Sequence, residues 1–163
     1  MPETIASKPV ALKRLSTGIP GLDDIMLGGF PENRLYLIEG YPGTGKTTLA
    51  LQFLLEGLRL GETVLYVSLS ETREEIEQVA MSHGWSLKGI HLFELNEMEE
   101  SLLEESQQNS IFHTSEVELS ETTKRIFEQA EKLQPTRVVL DSLSEMRLLA
   151  GDPLRYRRRR VVL

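Results

Sequence analysis

Short apolar runs alternate with stretches of helical spacing along the first half of the chain. Leu22–Leu27, framed by turn residues, predicts a helix of one or two turns. Four consecutive apolar residues in Arg34–Glu39 predict a buried strand. The next apolar residues recur at helical spacing up to Gly61, and they are Leu49, Phe53, Leu54 and Leu58. Thr63–Val67 and Glu71–His83 then predict a second strand and a second helix, which complete a βαβ unit plus one helix.

The second half of the chain predicts a sparser set of elements. Ile90–Phe93 predicts a short strand, and Arg137–Asp141 predicts the last strand. Ser120–Leu133 predicts a helix whose first residue is the N-cap, and Ser142–Ala150 begins another helix. Glu94–Ser110 carries six acidic residues and no basic ones. It predicts an exposed loop or loose helix, either simply solvated or able to bind a protein partner.

Together these elements predict an α/β fold with a mainly parallel sheet flanked by helices. The length of 163 residues suits one domain with a sizeable core. We expect a flexible N-terminal tail over residues 1–14, one folded domain over residues 15–154, and a basic C-terminal tail over residues 155–163.

Charge and composition narrow the class of protein. A net charge of −7 argues against a protein that wraps nucleic acid with its whole surface, because neutralising phosphates requires clustered Lys and Arg. The one basic cluster, Arg155 with Arg157–Arg160, indicates either a contact with an acidic partner or a solvated terminal run. No apolar run approaches the ~18 residues needed to cross a bilayer, and the absence of cysteine suits a reducing compartment. We therefore expect a cytoplasmic protein.

One glycine-rich motif between a predicted strand and a predicted helix indicates specific chemistry. It fits the phosphate-loop pattern G-x-x-x-x-G-K-[ST], and its residues are Gly40, Tyr41, Pro42, Gly43, Thr44, Gly45, Lys46 and Thr47. Glycine at the central positions permits backbone angles that turn successive amides inward, which forms an anion nest at the positive end of the helix. The motif predicts binding of a nucleoside triphosphate, namely ATP with Mg²⁺.

The residues around this loop have separate expected tasks. Lys46 is expected to reach the β- and γ-phosphates as a catalytic point charge, Thr47 to ligate Mg²⁺, and Thr48 to lie near the α-phosphate. Asp141 ends a short apolar strand at its carboxyl end, where α/β sheets place their ligands. It is therefore a candidate to hold Mg²⁺ through a bound water, although with Ser142 it could instead cap the next helix.

Hydrolysis also requires a carboxylate that orients or deprotonates water. Glu71 follows the second predicted strand and thus lies at the same sheet edge as Gly40 and Asp141. It is the candidate for this catalytic role. Alternatively, Glu71 is an N-terminal helix residue favoured by the helix dipole, as is expected of Glu74 and Glu75.

The segment before the loop resembles that of a known family. Ser16–Ile19, Leu22–Asp23 and Gly28–Pro31, leading into the phosphate loop, are similar to the KaiC-like branch of the RecA-superfamily ATPases. The resemblance covers roughly residues 15–154. It implies a RecA-like P-loop NTPase core, ATP hydrolysis, and self-assembly into homo-oligomeric rings, commonly hexamers, with nucleotide held between subunits.

Two departures from the family pattern affect these expectations. Where the family has paired glutamates that activate water, this chain has Ser70 and Glu71, so one of the pair is missing. The family core also continues past the strand that ends at Asp141, with a further strand between it and the phosphate-loop strand. The resemblance therefore predicts a core that is incomplete at its C-terminal side, with two unpaired strand edges. Direct pairing of the remaining strands and filling of the gap by a partner segment are alternatives.

The leading functional interpretation is a Mg²⁺-dependent ATPase of this family. A second interpretation is a regulatory or structural module that holds ATP with little or no hydrolysis. A third is a DNA-handling ATPase of RecA type, which the terminal arginines alone support, and nucleic acid is accordingly a weakly supported partner.

Overall fold

The computed structural model describes residues 12–94 and 115–144. A two-stranded antiparallel sheet pairs β1 with β2, and a three-stranded parallel sheet has the order β4-β3-β5. The strands are β1 (Arg14–Leu15), β2 (Phe30–Pro31), β3 (Val64–Ser68), β4 (His91–Glu94) and β5 (Arg137–Asp141). The helices are α1 (Pro20–Ile25), α2 (Lys46–Arg59), α3 (Arg73–Ser82) and α4 (Ser115–Leu133). The predicted α/β class with a parallel sheet flanked by helices is confirmed.

Strand β3 is the centre of the structure, and all five of its residues are buried. Leu65 and Val67 pack on one face of the sheet with Ile126 of α4. Val64 and Tyr66 pack on the other face, against residues of α2 and α3, which are Leu51, Leu54, Ile76 and Ala80. Because helices cover both faces, this strand is apolar at consecutive positions rather than at alternate ones.

The predicted strand Arg34–Glu39 is wrong, because this segment joins no sheet among the described residues. Its four apolar side chains are between 37% and 74% exposed. A strand requires a neighbour to satisfy its backbone hydrogen bonds, and in the described part of the chain β5 pairs with β3 alone. The segment is held to β2 by side-chain contacts of Tyr36, whose ring stacks on Phe30 with the ring centroids 4.3 Å apart and whose hydroxyl donates to the Pro31 carbonyl at 2.8 Å. The remaining strands therefore do not close the expected gap by direct pairing.

The predicted start of the fourth helix is also wrong. Helix α4 begins at Ser115, so Ser120 lies within the helix and is not its N-cap. The buried face of α4 includes Thr122 and Ile126, which are four residues apart and therefore on one side of the helix.

Most of the predicted elements Glu94–Ser110 and Ser142–Ala150 lies outside the described residues, as do residues 155–163. Within the described ranges, no helix has the length and apolar character needed to span a membrane.

A buried arginine ties the first part of the chain to the sheet. The side chain of Arg137 has no exposed surface and forms an ion pair with Glu62. Its Nη1 donates to the carbonyls of Ser16 at 2.6 Å and Phe53 at 2.9 Å. The guanidinium carbon also lies 4.5 Å from the centroid of the Phe53 ring, in cation–π geometry. A buried charge is tolerated when it is paired and hydrogen-bonded, and these contacts meet that condition.

This packing leaves no room for a side chain at position 57 of α2. A Cβ atom at Gly57 would lie 2.8 Å from Arg137 Cδ and 2.8 Å from Val64 Cγ1. Because the hydrogen bonds of Arg137 prevent an easy shift, we expect Gly57→Ala to lower the free energy of unfolding by about 1–3 kcal/mol. Denaturant-induced unfolding measures this change.

Gly21→Ala is the matched control, because Gly21 is also helical and a Cβ there would meet nothing within 4 Å. This variant should be neutral or slightly stabilised, since alanine favours helix over glycine by about 1 kcal/mol. Equal unfolding free energies for the two variants would contradict the packing described for Gly57.

Candidate functional site

The three parallel strands end at the same edge of the sheet. Ser68, the last residue of β3, is the register partner of Glu94 in β4 and of Asp141 in β5. The amide of Leu69 donates to the Asp141 carbonyl at 2.8 Å, so the chain leaving β3 runs beside the end of β5. Ligands of parallel α/β sheets bind outside the carboxyl ends of their strands. The candidate site therefore lies at this edge.

The phosphate loop has backbone angles that suit an anion nest. Gly43 and Gly45 have φ angles of 79° and 85°, in the left-handed region that favours glycine. At Gly40 a Cβ would lie 2.6 Å from Thr44 Oγ1, so a larger residue there would displace that hydroxyl. Gly45 is the N-cap of α2, and no side chain caps this end of the helix. The first amides of α2 are therefore available to an anion.

The side chain of Lys46 is hydrogen-bonded to the loop that precedes it. Its ammonium group donates to the carbonyls of Gly40 and Tyr41, at 3.0 Å each. The hydroxyl of Thr44 also donates to the Tyr41 carbonyl, at 2.9 Å. Residues 40–45 of the loop, Pro42 included, are exposed, whereas Lys46 and Thr47 are half-buried. Thr48, one residue into the helix beyond Thr47, has its hydroxyl 3.3 Å from His83 Nε2.

Thr47 and Asp141 meet although they are 94 residues apart in sequence, because the Thr47 hydroxyl donates to Asp141 Oδ2 at 2.8 Å. The hydroxyl of Tyr66 donates to the same oxygen, also at 2.8 Å. These bonds direct the carboxylate toward the first turn of α2. This orientation differs from the alternative in which Asp141, with Ser142, caps the next helix.

Tyr66 is the residue of this cluster that the sequence reasoning missed. The available signal was its hydroxyl within the otherwise apolar stretch of β3, since a buried tyrosine hydroxyl requires a hydrogen-bond partner. Burial raises the pKa of Tyr66, and the charge of Asp141 raises it further. The hydroxyl is therefore a hydrogen-bond donor at neutral pH.

Glu71 lies between β3 and α3, outside the helix. Helix α3 begins with a capping box, in which Thr72 is the N-cap and its side chain and that of Glu75 bond to each other's amides. Glu74 and Glu75 occupy the first turn, as expected. Glu71 precedes the N-cap and is held by its main chain, whose amide donates to Ser68 Oγ at 3.1 Å. The alternative role as an N-terminal helix residue thus fits Glu74 and Glu75 but not Glu71.

One oxygen of the Glu71 carboxylate lacks a hydrogen-bond partner among the described residues. Its Oε2 atom is buried and has no hydrogen bond within the described part of the chain. Burial raises the pKa of Glu71, and the charges of Asp141 and Glu75 raise it further. A buried acceptor without a partner is unfavourable for folding, and such strained carboxylates are concentrated at functional sites.

The oxygen donors at the sheet edge fit Mg²⁺ only in part. Among the described residues, no group of three or more His, Cys, Asp or Glu could form a metal cage. Mg²⁺ in nucleotide sites, however, is usually held by one or two protein oxygens together with waters and phosphate oxygens. Thr47 and Asp141, joined at 2.8 Å, supply donors of this kind. The donor set therefore suits a magnesium ion that arrives with a phosphate ligand.

Comparisons with known proteins agree with this arrangement. A family model described as "ATPase: KaiC" matches residues 15–162. A UPF0273 protein of Pyrococcus horikoshii is 46% identical over 76 residues, which cover 47% of this chain and 31% of the relative. A UPF0273 protein of Saccharolobus solfataricus is 30% identical over 141 residues, covering 84% of this chain and 50% of the relative. The circadian clock oscillator protein KaiC of Thermostichus vulcanus is 34% identical over 135 residues, covering 82% of this chain and 25% of that protein. The chain thus spans between a quarter and half of these relatives.

The unpartnered carboxylate of Glu71 leads to a stability prediction. Its folded-state pKa is raised, so at neutral pH its ionisation disfavours the folded state, and this penalty disappears below the unfolded pKa of about 4.3. Glu71→Gln removes the charge and should increase the free energy of unfolding at pH 7 by on the order of 1 kcal/mol. Thermal unfolding at pH 7 and at pH 4 measures the effect, which should be smaller at pH 4.

Glu74→Gln serves as the comparison, because Glu74 is exposed in the first turn of α3, where the helix dipole favours a negative charge. This variant should be neutral or slightly destabilised. A loss of stability in Glu71→Gln equal to that in Glu74→Gln would show that Glu71 acts as an ordinary helix-terminal residue.

Proposed function

Because the chain belongs to the KaiC family of RecA-superfamily P-loop ATPases, we propose that it binds ATP with Mg²⁺ and hydrolyses it to ADP and phosphate. The proposed ATP-binding domain comprises residues 15–154, with residues 1–14 and 155–163 as tails. The observation that carries the proposal is the 2.8 Å hydrogen bond between Thr47 and Asp141. It joins the start of the phosphate-loop helix to the carboxyl end of a parallel strand, the pair of positions from which P-loop enzymes hold the metal.

Nucleotide binding is assigned to the loop and the first turn of α2. The uncapped amides of this turn and those of the nest around Gly43 and Gly45 donate hydrogen bonds to the β-phosphate oxygens. Lys46 exchanges the carbonyls of Gly40 and Tyr41, which its ammonium group now contacts, for phosphate oxygens. Thr48 lies beside the α-phosphate in this arrangement. The same lysine thus stabilises the loop before binding and the ligand afterwards.

Hydrolysis is assigned to the acidic side of the site. The oxygen of a water molecule adds to the γ-phosphorus, the bond from phosphorus to the β,γ-bridging oxygen breaks so that ADP leaves, and one of the two protons of the water moves toward Glu71. The Oε2 atom of Glu71, which has no hydrogen bond to another described residue, and the raised pKa of this carboxyl suit a group that accepts a hydrogen bond from water. Thr47 and Asp141 hold Mg²⁺, which supplies positive charge to the phosphate oxygens. Lys46 stabilises the negative charge that develops on them.

A regulatory or structural nucleotide site with little turnover is the second candidate. Two observations favour it. Ser70 stands where the family has a second glutamate, and its side chain is exposed. In addition, the segment that leads into the loop is unpaired along its length in the described structure, which weakens the support for the loop.

Other properties are proposed on family grounds alone. Self-assembly into a homo-oligomeric ring, with nucleotide between subunits, belongs to this group. A cytoplasmic location is proposed from the composition instead, since the sequence has no cysteine and no apolar run of membrane-spanning length. A DNA-handling role would rest on the arginines of residues 155–160, which lie outside the described residues.

Removing the ammonium group of the loop should weaken nucleotide binding strongly. We expect Lys46→Ala to lower ATP affinity by at least about tenfold, because charge-assisted hydrogen bonds contribute about 1.5–3 kcal/mol each. Isothermal titration calorimetry with ATP and Mg²⁺ measures the affinity. Lys88→Ala, which removes an exposed lysine far along the chain from the loop, should bind as the unmodified protein does. Unchanged ATP affinity in Lys46→Ala would contradict the assignment of the loop.

The two candidate functions differ in phosphate release. If Glu71 activates water, Glu71→Gln should reduce the rate of phosphate release by about 10²–10⁴-fold, the usual contribution of a general base, while ATP affinity stays within about twofold. Glu74→Gln should retain the rate. An unmodified protein that binds ATP but releases no phosphate above the buffer rate would favour the regulatory candidate over the enzyme.

A further inference from the structure

A buried hydroxyl group contacts the carboxylate proposed to hold the metal. Tyr66 is fully buried in the middle of β3, and its hydroxyl donates to Asp141 Oδ2 at 2.8 Å. Its register partner in β5 is Val139, and Asp141 lies two residues beyond Val139 on the same face of the sheet. Aromatic side chains are long enough to reach such diagonal neighbours across a pair of strands. The contact therefore follows from the register of the sheet.

Packing alone does not account for this hydroxyl. A phenylalanine would fill the same apolar space between β3, α2 and α3 without placing a polar group in the core. A buried hydroxyl requires a partner, and here its hydrogen-bond partner is the carboxylate at the end of the neighbouring strand.

The Asp141 carboxylate is held by one of its two oxygens. The Thr47 and Tyr66 hydroxyls both donate to Oδ2, and in the described structure these are the hydrogen bonds that fix the carboxylate. Two donors on one oxygen oppose rotation of the carboxylate about its bond to Cβ. Among the described residues, Oδ1 takes part in neither of these bonds and is left for a further ligand.

We propose that Tyr66 is a positioning residue of the nucleotide site, which holds Asp141 Oδ2 so that Oδ1 remains available to a divalent cation bound with the nucleotide. This inference rests on the proposed function and extends it to the residue that orients the metal ligand. Groups that orient metal ligands in this way typically contribute ten- to a hundredfold to metal affinity or activity.

Metal affinity and nucleotide affinity, measured separately, test the role of Tyr66. The metal probe is Mn²⁺, titrated into the protein saturated with ADP and followed by electron paramagnetic resonance. We expect Tyr66→Phe to lower Mn²⁺ affinity on the order of tenfold and to leave ADP affinity in EDTA within about twofold. Ser86→Ala is the control, because it removes an exposed hydroxyl that accepts from the Lys88 amide instead. Both affinities should be unchanged in this control.

A double-mutant cycle separates positioning from a general loss of packing. If Tyr66 acts through Asp141, then Tyr66→Phe should have no further effect on Mn²⁺ affinity in an Asp141→Asn protein. Additive losses would overturn the inference, as would equal weakening of Mn²⁺ and metal-free ADP binding, or unchanged Mn²⁺ affinity in the single variant. If the unmodified protein did not bind ADP at all, the proposed function would fail and the inference with it. If the protein bound ADP but Tyr66→Phe left Mn²⁺ affinity unaltered, the inference about Tyr66 would fail while the proposed function would stand.

Discussion

The structure depends on two connections between α2 and β5. At one end, the buried guanidinium of Arg137, the first residue of β5, bonds to the Phe53 carbonyl in the middle of the helix. At the other end, Thr47 in the first turn of the helix bonds to Asp141, the last residue of β5. The helix thus runs antiparallel over the strand, and both ends of the strand are bonded to it. The distance between the phosphate loop and the acidic strand end follows from this arrangement.

The negative charges at the sheet edge lie close enough together to repel one another. Glu71 and Asp141 lie close enough to raise the pKa of the Glu71 carboxyl, and Glu75 adds to the effect. Such a cluster is more favourable when a cation lies nearby, since an opposite charge offsets the repulsion. The electrostatics of the site and the Mg²⁺ proposed to arrive with a nucleotide therefore support each other.

Local sequence was sufficient for some features and insufficient for others. The glycine angles and the uncapped start of α2 follow from the residues of the loop itself, and Asp141 was accessible because it ends an apolar strand. The role of Tyr66 could not be predicted from local sequence, because its contact with Asp141 depends on the register between β3 and β5, which no local pattern encodes. Arg34–Glu39 reads as a strand, but pairing is a property of two segments, and the described structure provides no neighbour for it. The predicted start of α4 is wrong because serine is a common N-cap residue, whereas Ser120 lies inside the helix.

The unpaired segment before the loop has a thermodynamic consequence. Gly40 continues directly from residues whose apolar side chains are between 37% and 74% exposed, so the loop proposed to receive phosphate is weakly supported on that side. When only a fraction of molecules has the competent arrangement, apparent affinity falls in proportion to that fraction. A strand that completed the sheet beside β5 would therefore tighten nucleotide binding without touching the nucleotide, and bound nucleotide would favour that strand by the same factor. Sheet completion and ligand occupancy would be linked equilibria.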